Sequence, residues 1–368
     1  MSSDFTFVEE APEDGGPTGG GGRPWGWLVA GVALGLAVGV LFGAPAVFDS
    51  AEPPEPSGPG SLAESPAEAP VGIAEALPGF PDTLVAVVQG EGRTLSHLIW
   101  PQRGAEILRA LPSGGLGEAR FDASGRWLAV TTVIPEDQGD LISFGQAPNL
   151  LPLVTGVTGF AWHDTAPASL AYTRLADDLH QLWLVGSGRD PVLVTEGADL
   201  GVVVFWGYWG FALQAEEEVV LLTLEGDLKT TVEGRALASH PSGWLLVADS
   251  EALNLVSAGG GVQRLRVSTE LGEPLAAALS PDFTRMVVLG TRENVVAGLE
   301  GDPAEESTIT PDLIAPPSQP VWSSDSRFVL LIFSRGLWVY DTDMEILPHS
   351  LMERHVVRSV GLIPPDAP

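Results

Sequence analysis

A turn followed by two short apolar runs recurs along most of this sequence, and this repeat constrains the fold more than any other feature. In its clearest copy the polar residues Ser323–Ser326 precede the runs Phe328–Phe333 and Leu337–Tyr340. Short polar side chains bond to nearby backbone groups and favour turns, whereas β-branched and aromatic residues favour strands. Equivalent turn positions follow one another at intervals of 41, 43, 34, 40 and 43 residues: Ser124, Thr165, Tyr208, Ser242, Asp282 and Asp325. A period near 40 residues therefore predicts an all-β fold built from one repeated sheet.

The strand count predicts how this repeat is closed. Six turns separate seven groups of strands, and the first group has only three: Leu84–Val88, Leu95–Trp100 and Glu106–Leu111. The last run, His355–Ile363, is not followed by further strands that could form a group with it. If it pairs with the first group, it supplies the missing strand and removes exposed strand edges. We therefore predict a seven-bladed β-propeller over residues 82–363, with six blades as the alternative, and a short tail at 364–368.

Two of the turns resemble a known pattern. Leu279-Ser280-Pro281-Asp282 and Val321-Trp322-Ser323-Ser324-Asp325 resemble the Trp-Ser-Pro-Asp-Gly turn of TolB-like and WD-repeat β-propellers. Leu182–Val185 and Leu337–Asp341 are similar to the third strand of such a blade. The resemblance covers residues 84–363 and implies the propeller fold, but it implies little about function beyond a platform for protein contacts. The aromatic segment Phe205–Phe211 departs from the pattern because it has none of the motif's polar residues.

The first eighty residues differ in composition from the repeat region. Residues 1–24 are acidic and Gly-rich, which predicts a disordered cytoplasmic tail. Residues 25–48 carry no charge and are long enough to cross a bilayer as a helix, so we predict a signal anchor. Residues 49–81 contain eight prolines and no Lys or Arg, as an extended linker would. The one flanking cation, Arg23, predicts a cytoplasmic N-terminus and an extracytoplasmic propeller in a single-pass inner-membrane protein.

Two alternatives concern the predicted membrane segment. Ala44-Pro45-Ala46 resembles a signal-peptide cleavage site, so secretion after cleavage near Ala46 is the alternative to an uncleaved anchor. Glycines spaced four residues apart would line one helix face and allow self-association: Gly31, Gly35, Gly39 and Gly43. The alternative is that glycine is simply common in membrane helices.

Charge and composition argue against several classes of function. The formal net charge is −30 and Lys229 is the only lysine, which argues against a nucleic-acid partner. The sequence has no cysteine, so it has no disulfide, no thiolate metal ligand and no cysteine nucleophile. It has no Gly-x-Ser-x-Gly elbow, its six histidines are scattered, and we expect no hydrolase domain of the kind that accompanies propellers in prolyl peptidases. We therefore predict no catalytic residues, no cofactor and no enzymatic activity.

Acidic residues occupy the turns expected between the second and third strands of several blades. These residues are Glu136, Asp137, Asp140, Asp177, Asp178, Glu216, Glu217, Glu218, Asp249 and Glu251. The same turns of the other blades contain Arg93, Arg292 and Arg335. Since such turns share one face of a propeller, we predict an acidic arc on half of that face, which would steer a partner with a basic surface. The alternative is that tight turns are solvated and attract Asp and Glu for that reason alone.

Three other groups of residues are weaker candidates. The loop containing Glu136, Asp137 and Asp140 has the carboxylates that a calcium site needs. Trp206, Tyr208 and Trp209 form either an exposed patch for a peptide or sugar or, alternatively, packing between blades. His163 and His240 occupy equivalent turn positions, which indicates a role in the turn rather than a shared metal site.

The sequence thus predicts a membrane-anchored, extracytoplasmic β-propeller that acts as a non-catalytic scaffold for protein–protein contacts, within a bacterial envelope assembly. The alternative is a propeller enzyme, or a protein that binds a carbohydrate or another small ligand in its central channel. The apolar inner runs Val202–Phe205 and Leu275–Leu279 disfavour that alternative.

Overall fold

The described residues are all-β. The computed structural model describes residues 79–89, 96–100, 104–107, 115–133, 140–250, 252–265, 271–299, 307–309, 320–333, 336–343, 346–350 and 356–365. The predicted tail (1–24) and transmembrane helix (25–48) lie outside these residues, as does the predicted linker (49–81) except for its last three positions. Within the described ranges, no helix is long and apolar enough to cross a membrane.

The strands follow one another along the chain with short connections. Their bounds are β1 Thr83–Gln89, β2 Ser96–Trp100, β3 Gly104–Ile107, β4 Gly115–Phe121, β5 Trp127–Val133, β6 Asp140–Gln146, β7 Leu151–Trp162, β8 Ser169–Ala176, β9 Leu179–Gly186, β10 Val192–Gly197, β11 Val202–Gly207, β12 Gly210–Ala215, β13 Glu218–Leu222, β14 Leu228–Glu233, β15 Arg235–His240, β16 Trp244–Ala248, β17 Leu253–Ser257, β18 Val262–Leu265, β19 Pro274–Leu279, β20 Arg285–Gly290, β21 Asn294–Gly298, β22 Ser307–Ile309, β23 Val321–Trp322, β24 Phe328–Phe333, β25 Gly336–Asp341, β26 Ile346–Ser350 and β27 Val356–Ile363.

Antiparallel pairing groups these strands into five four-stranded sheets and one seven-stranded sheet. Four sheets contain consecutive strands only: β11–β14, β15–β18, β19–β22 and β23–β26. The seven-stranded sheet runs from β4 to β10 because the long strand β7 pairs on both sides. Its residues 151–157 pair with β6, and its residues 157–162 pair with β8. The predicted repetition of short meandering sheets is confirmed.

The last strand of the chain completes the first sheet. The order of this sheet is β27-β1-β2-β3, and β27 pairs with β1 from Thr83↔Ile363 to Gln89↔Val356. Just before β1, the buried Asp82 carboxylate accepts hydrogen bonds from the backbone N–H and hydroxyl of Ser324, at 2.8 and 2.6 Å. The prediction that the final run pairs with the first group of strands is confirmed.

The core lies between neighbouring sheets. In β1, Leu84, Ala86 and Val88 pack against β24, β25 and β27, whereas Val85 and Val87 point the other way and pack against β4 and β5. This alternation is the period of two expected for a strand whose two faces are both covered. Similar clusters lie between the later sheets, so the central strands are apolar on both faces.

Hydrogen bonds between turns connect several neighbouring repeats. Within the turns, a side chain caps the backbone: the N–H groups of Arg126 and Trp127 donate to the Asp122 carboxylate. Asp122 also accepts the N–H of Ala168 from the next turn, at 3.3 Å. Other links between turns are Asp282 N–H to Ser326 Oγ and the His240 Nε2 contact with the Pro281 carbonyl. The turn motif therefore sets the reversal of the chain and also the contact between neighbouring sheets.

We expect the closure to depend on Asp82. Replacing Asp82 with Ala leaves the Ser324 hydroxyl and N–H without their charged acceptor, so the free energy of unfolding should fall by about 2–3 kcal/mol. Urea denaturation followed by tryptophan fluorescence measures the change. The matched control, Asp227→Ala, removes an exposed carboxylate and should change stability by no more than about 0.5 kcal/mol. Equal stabilities for the two variants would contradict this role of Asp82.

Candidate functional site

One end of the strands carries a deep acidic cleft. It lies where the β12–β13 turn and the β16–β17 turn meet two connections between sheets, residues 233–235 and 271–274. In a meander, the turn between the second and third strands and the connection to the next sheet emerge at the same end. Three neighbouring sheets, β11–β14, β15–β18 and β19–β22, therefore enclose one cleft of about 960 Å³.

The cleft has a charged rim and an apolar floor. Its charged lining consists of five carboxylates and two guanidinium groups: Glu216, Glu217, Glu233, Asp249, Glu273, Arg235 and Arg264. The buried side chains Leu253, Leu265 and Leu271 line it below. All of the charged side chains except Asp249 are exposed. The lining thus combines a net negative potential with apolar surface that a ligand can cover.

Gln214 holds one wall of the cleft in place. Its side-chain amide donates to the carbonyls of Glu216, Glu218 and Gly234, at 3.0–3.1 Å. Its amide oxygen accepts the N–H of Ala236 at 3.0 Å. A single half-buried side chain therefore fixes the acidic β12–β13 turn against the connection that follows β14.

Backbone geometry also fixes the connection between β14 and β15 and the connection that precedes β19. Gly234 has a φ of +120°, and a Cβ there would lie 2.4 Å from the Ala248 carbonyl oxygen, so only glycine fits. The Thr291 hydroxyl accepts the N–H of Glu273 at 3.0 Å and ties this connection to the β20–β21 turn. Arg235 donates to the Pro274 carbonyl and so links the first strands of two neighbouring sheets.

Asp249 shapes the third wall. Its carboxylate accepts the N–H of Ala252 and the side-chain amide of Asn254, both at 2.7 Å. These bonds hold the β16–β17 turn, so Asp249 contributes charge to the cleft while acting as a structural cap. The exposed carboxylates of Glu217, Glu233 and Glu273 are the groups that a ligand would meet first.

The cleft gathers part of the predicted acidic arc. It brings together Glu216, Glu217 and Asp249 but not the other described members of the arc, Asp140, Asp177, Asp178 and Glu218. Three predicted members, Glu136, Asp137 and Glu251, lie outside the described residues, as do Arg93 and Arg335. Two of the three residues of the predicted calcium site, Glu136 and Asp137, are therefore outside the described part of the chain. No group of three metal-binding side chains occurs among the residues that the structure describes.

Sequence reasoning missed Glu233 and Glu273. Glu233 is the last residue of β14 and Glu273 directly precedes β19, so both lie where one sheet passes to the next rather than in hairpin turns. Those connections emerge at the same end of the strands as the second turn of each sheet. A search of both kinds of connection would have found these two residues.

The other end of the strands carries a buried histidine–aspartate pair. His163 Nδ1 accepts the backbone N–H groups of Thr165 and Ala166, at 3.1 and 2.9 Å. His240 Nδ1 accepts the N–H of Ser242 in the equivalent way, at 3.2 Å. The predicted role of both histidines in their turns is confirmed. Asp164 follows His163, and its Oδ1 atom lies 3.3 Å from His163 Nδ1.

Burial perturbs both members of this pair. Burial of the imidazole lowers the pKa of His163, although the neighbouring Asp164 carboxylate opposes the shift. Burial also raises the pKa of Asp164, against the effects of His163 and of the hydrogen bond from Trp209. Because His163 Nδ1 already accepts two N–H groups, its contact with Asp164 is not a conventional ion pair.

The aromatic segment Phe205–Phe211 spans the end of β11 and the start of β12 and is only partly exposed. Trp206 is 8% exposed and stacks on Phe211, so its assignment to an exposed patch is wrong. Tyr208 is 69% exposed, and Trp209 is half-buried and donates to Asp164 Oδ2 at 3.2 Å. The large rings of Trp206 and Phe211 fill the space between neighbouring sheets, as the packing alternative predicts.

Comparison with known proteins supports the fold and not a function. No protein-family model matches the sequence, and no curated protein matches it. Among solved structures, TolB from Acinetobacter baumannii is similar with a TM-score of 0.50 at 13% identity, over 79% of this chain and 70% of TolB. A Lactobacillus plantarum protein is similar with a TM-score of 0.51 at 11% identity, over 77% of this chain and 99% of that protein.

A prolyl endopeptidase structure is also similar, with a TM-score of 0.50 at 13% identity. The match covers 75% of this chain and 49% of the endopeptidase. The resemblance to TolB-like β-propellers therefore holds at the level of the fold. Since an endopeptidase is among the similar structures, the fold does not decide between an enzyme and a binding protein.

The His163 imidazole should make stability depend on pH. Its pKa is lower in the folded protein than the ordinary value of 6.5, so the unfolded chain binds more protons as the pH falls through that value. Its contribution to stability is therefore present at about pH 7.5 and decreases towards about pH 5.5. In His163→Asn, the side-chain oxygen can still accept the turn N–H groups, but the titration is gone.

Urea denaturation of both proteins at the two pH values tests this expectation. The destabilisation caused by His163→Asn should be larger at the higher pH. An equal loss at both values, or a larger loss at the lower pH, would contradict the sign of the shift.

Proposed function

We propose that this chain is a membrane-anchored, extracytoplasmic β-propeller that acts as a non-catalytic platform for protein contacts, within a bacterial envelope assembly. The acidic cleft is the observation that carries the proposal. It combines the two features of a recognition surface, an apolar centre and a polar rim. Its partner is a protein segment that presents Lys or Arg beside an apolar side chain.

The geometry of the cleft favours a protein segment over a simple ion. The buried side chains of Leu253, Leu265 and Leu271 offer apolar contact, which a metal ion or an inorganic cation cannot use. The rim carboxylates accelerate and orient the approach of a basic segment, while the apolar floor supplies affinity once the segment is seated. Arg235 and Arg264 lie among the rim carboxylates. Their positive charges would repel a misplaced Lys or Arg of the partner and so fix the position in which the segment binds.

The same residues support a binding role rather than catalysis. Among the described lining residues, the cleft holds carboxylates and guanidinium groups but no histidine. Its carboxylates are exposed apart from Asp249, which is already engaged by Ala252 and Asn254. General acid–base chemistry favours groups whose pKa is shifted by burial or by a close charged partner.

We infer seven blades for the propeller. The first half of β7 pairs with β6 and the second half pairs with β8. When the two halves are counted as separate strands, the seven-stranded sheet divides into two four-stranded blades. Among the described residues, seven hydrophobic clusters lie between successive blades counted in this way, which supports the same number. A crystal structure with six blades would contradict this inference.

The membrane attachment rests on the uncharged residues 25–48. We expect the protein to stay in the membrane pellet after alkaline carbonate washing and to become soluble only with detergent. Alkaline phosphatase fused after residue 365 should be active, because that enzyme requires an extracytoplasmic location. Release of a shortened chain by washing would favour cleavage near Ala46 instead.

Reversal of the rim charges should abolish capture of the partner. In Glu217→Lys/Glu233→Lys/Glu273→Lys, three exposed rim carboxylates become ammonium groups that repel a basic segment. Affinity purification of the full chain from detergent-solubilised membranes, read by quantitative mass spectrometry, measures the loss. A partner that depends on the cleft should fall by about tenfold or more, and raising the salt concentration should weaken its capture by the unmodified chain.

A matched control has the same change in charge outside the cleft. Glu196→Lys/Glu225→Lys/Asp227→Lys alters three exposed carboxylates that do not line the cleft and should retain the partner. Equal capture by both triple variants would remove the cleft from the proposal. Recovery of no specific protein, together with turnover of a substrate by the purified chain, would overturn the scaffold function itself.

A further inference from the structure

Exposed apolar side chains are concentrated at the end of the strands opposite the acidic cleft. Among the described residues, nine large apolar side chains are exposed, and two of them, Val133 and Leu175, lie at the cleft end of their strands. The other seven lie at the start of the fourth strand of a repeat or in its first or third turn, and these positions share the opposite end: Leu151, Val192, Leu193, Tyr208, Leu224, Leu228 and Val262. The distribution of exposed apolar surface is therefore one-sided.

The same strand position is apolar and exposed in four successive repeats. The fourth strands β7, β10, β14 and β18 begin with Leu151, Val192, Leu228 and Val262, whose side chains are 59–71% exposed. A single exposed apolar residue is ordinary on a protein surface, but a series of them at equivalent positions forms a surface feature. We call these four residues the apolar rim.

Contacts between repeats hold the rim residues in defined relative positions. The turn before β14 packs on β10, since a Cβ at Gly226 would lie 2.8 Å from Thr195 Cβ. The turn before β18 packs on β14 in the same way, since a Cβ at Gly260 would lie 3.5 Å from Thr230 Cγ2. The rim is therefore an ordered array in the repeats that contain β10, β14 and β18.

An aromatic turn lies at the same end, between β11 and β12. The exposed Tyr208 ring packs edge-to-face against the buried His163 ring, with 4.5 Å between the ring centroids. Trp209 is held from two sides, because its indole N–H donates to Asp164 and its carbonyl accepts the Lys229 ammonium group. Tyr and Trp combine an apolar ring with a polar group, and Lys combines a long apolar stem with a charge. All three suit the boundary between lipid chains and water.

The arrangement fits a flat, fluid surface better than a peptide. The rim residues are spread over four repeats, with exposed polar residues between them. A peptide in a groove needs contiguous apolar contact, whereas a bilayer surface meets every side chain that projects from one end of the fold. The described chain also begins at this end, at Gly79–Asp82, where Asp82 bonds to the turn that contains Ser324. The chain that precedes the fold therefore joins it on the side of the rim.

Charge does not drive this contact. The exposed charged residues in and beside the turns before β10 and β14 have both signs: Arg189, Asp190, Glu225, Asp227 and Lys229. Two cations against three carboxylates give no net attraction to anionic lipid, so the contact depends on burial of apolar surface. Its strength should therefore be insensitive to salt, unlike capture of a basic partner by the cleft.

We propose that the apolar rim and the Tyr208–Trp209 turn contact the headgroup boundary of a phospholipid bilayer. The rim side chains insert among the lipids, the polar groups of Tyr208 and Lys229 stay in the headgroup layer, and the acidic cleft faces away from the bilayer. This inference rests on the proposed membrane attachment, which brings the fold near lipid, and it adds a second lipid contact made by the fold itself.

A single fluorescent label tests the contact. The sequence has no cysteine, so Leu224→Cys in the full chain can be labelled uniquely with a nitrobenzoxadiazole dye. In phosphatidylcholine vesicles that contain doxyl-labelled phosphatidylcholine, the dye should be quenched and its emission should shift to shorter wavelength, and about 0.5 M salt should change neither. The matched control, Leu175→Cys, labels an exposed leucine at the cleft end and should not be quenched. Equal quenching at the two positions overturns the proposal.

Removal of the rim should release the fold from lipid. Val192→Ser/Leu228→Ser/Val262→Ser, labelled at Leu224→Cys, loses three apolar contacts, so the ratio of lipid-bound to free fold should fall about tenfold or more, measured as loss of quenching. The matched control, Val133→Ser/Leu175→Ser with the same label, removes exposed apolar side chains at the cleft end and should keep the quenching. Unchanged quenching of the rim variant overturns the proposal.

Flotation with the vesicles separates this inference from the membrane attachment. A labelled chain that floats with the vesicles but is not quenched at Leu224→Cys retains the attachment and overturns the rim contact alone. A chain that does not float overturns both. A shift to shorter wavelength without quenching by the doxyl lipid would mean that a second copy of the chain covers the rim, and it would also overturn the lipid contact.

Discussion

The pairing of β27 with β1 is the interaction on which the rest of the structure depends. It joins segments at opposite ends of the repeat region, so it carries a loop-closure cost, and the ladder over Thr83–Gln89, which has one irregularity between Val87 and Val88, helps to offset that cost. Asp82 adds bonds to Ser324 at the same seam. Both candidate sites are built from loops of several neighbouring sheets, so their geometry is fixed only when those sheets are held together.

Carboxylates have two different roles at the two ends of the strands. Asp82, just before β1, and Asp122, in the turn after β4, accept hydrogen bonds from neighbouring turns and so act as structural links. In the cleft, the carboxylates of Glu217, Glu233 and Glu273 are exposed to solvent. Some of the acidic residues therefore link neighbouring turns, whereas others give the cleft a negative electrostatic potential.

The sequence predicted the elements of the fold better than the residues of the sites. Turn residues and alternating apolar runs act locally, so the repeat and the roles of His163 and His240 were predictable. The pairing of the last strand with the first joins distant segments, and the count of strands in each group predicted it. Glu233 and Glu273 were missed because their place beside Glu217 depends on contacts between sheets. The burial of Trp206 likewise depends on a neighbouring sheet, and its aromatic character alone indicates either packing or exposure.

The range of electrostatic forces limits what the acidic charge alone can recognise. At physiological ionic strength, exposed charges are screened beyond about 8 Å, so the net charge of −30 contributes little to specificity at a distance. Specific recognition must come from groups that a ligand contacts directly. In the proposed binding cleft these would be the rim carboxylates, Arg235 and the leucine floor. Since the cleft is assembled from several sheets, substitutions at the seams between sheets should alter binding even where they touch no ligand.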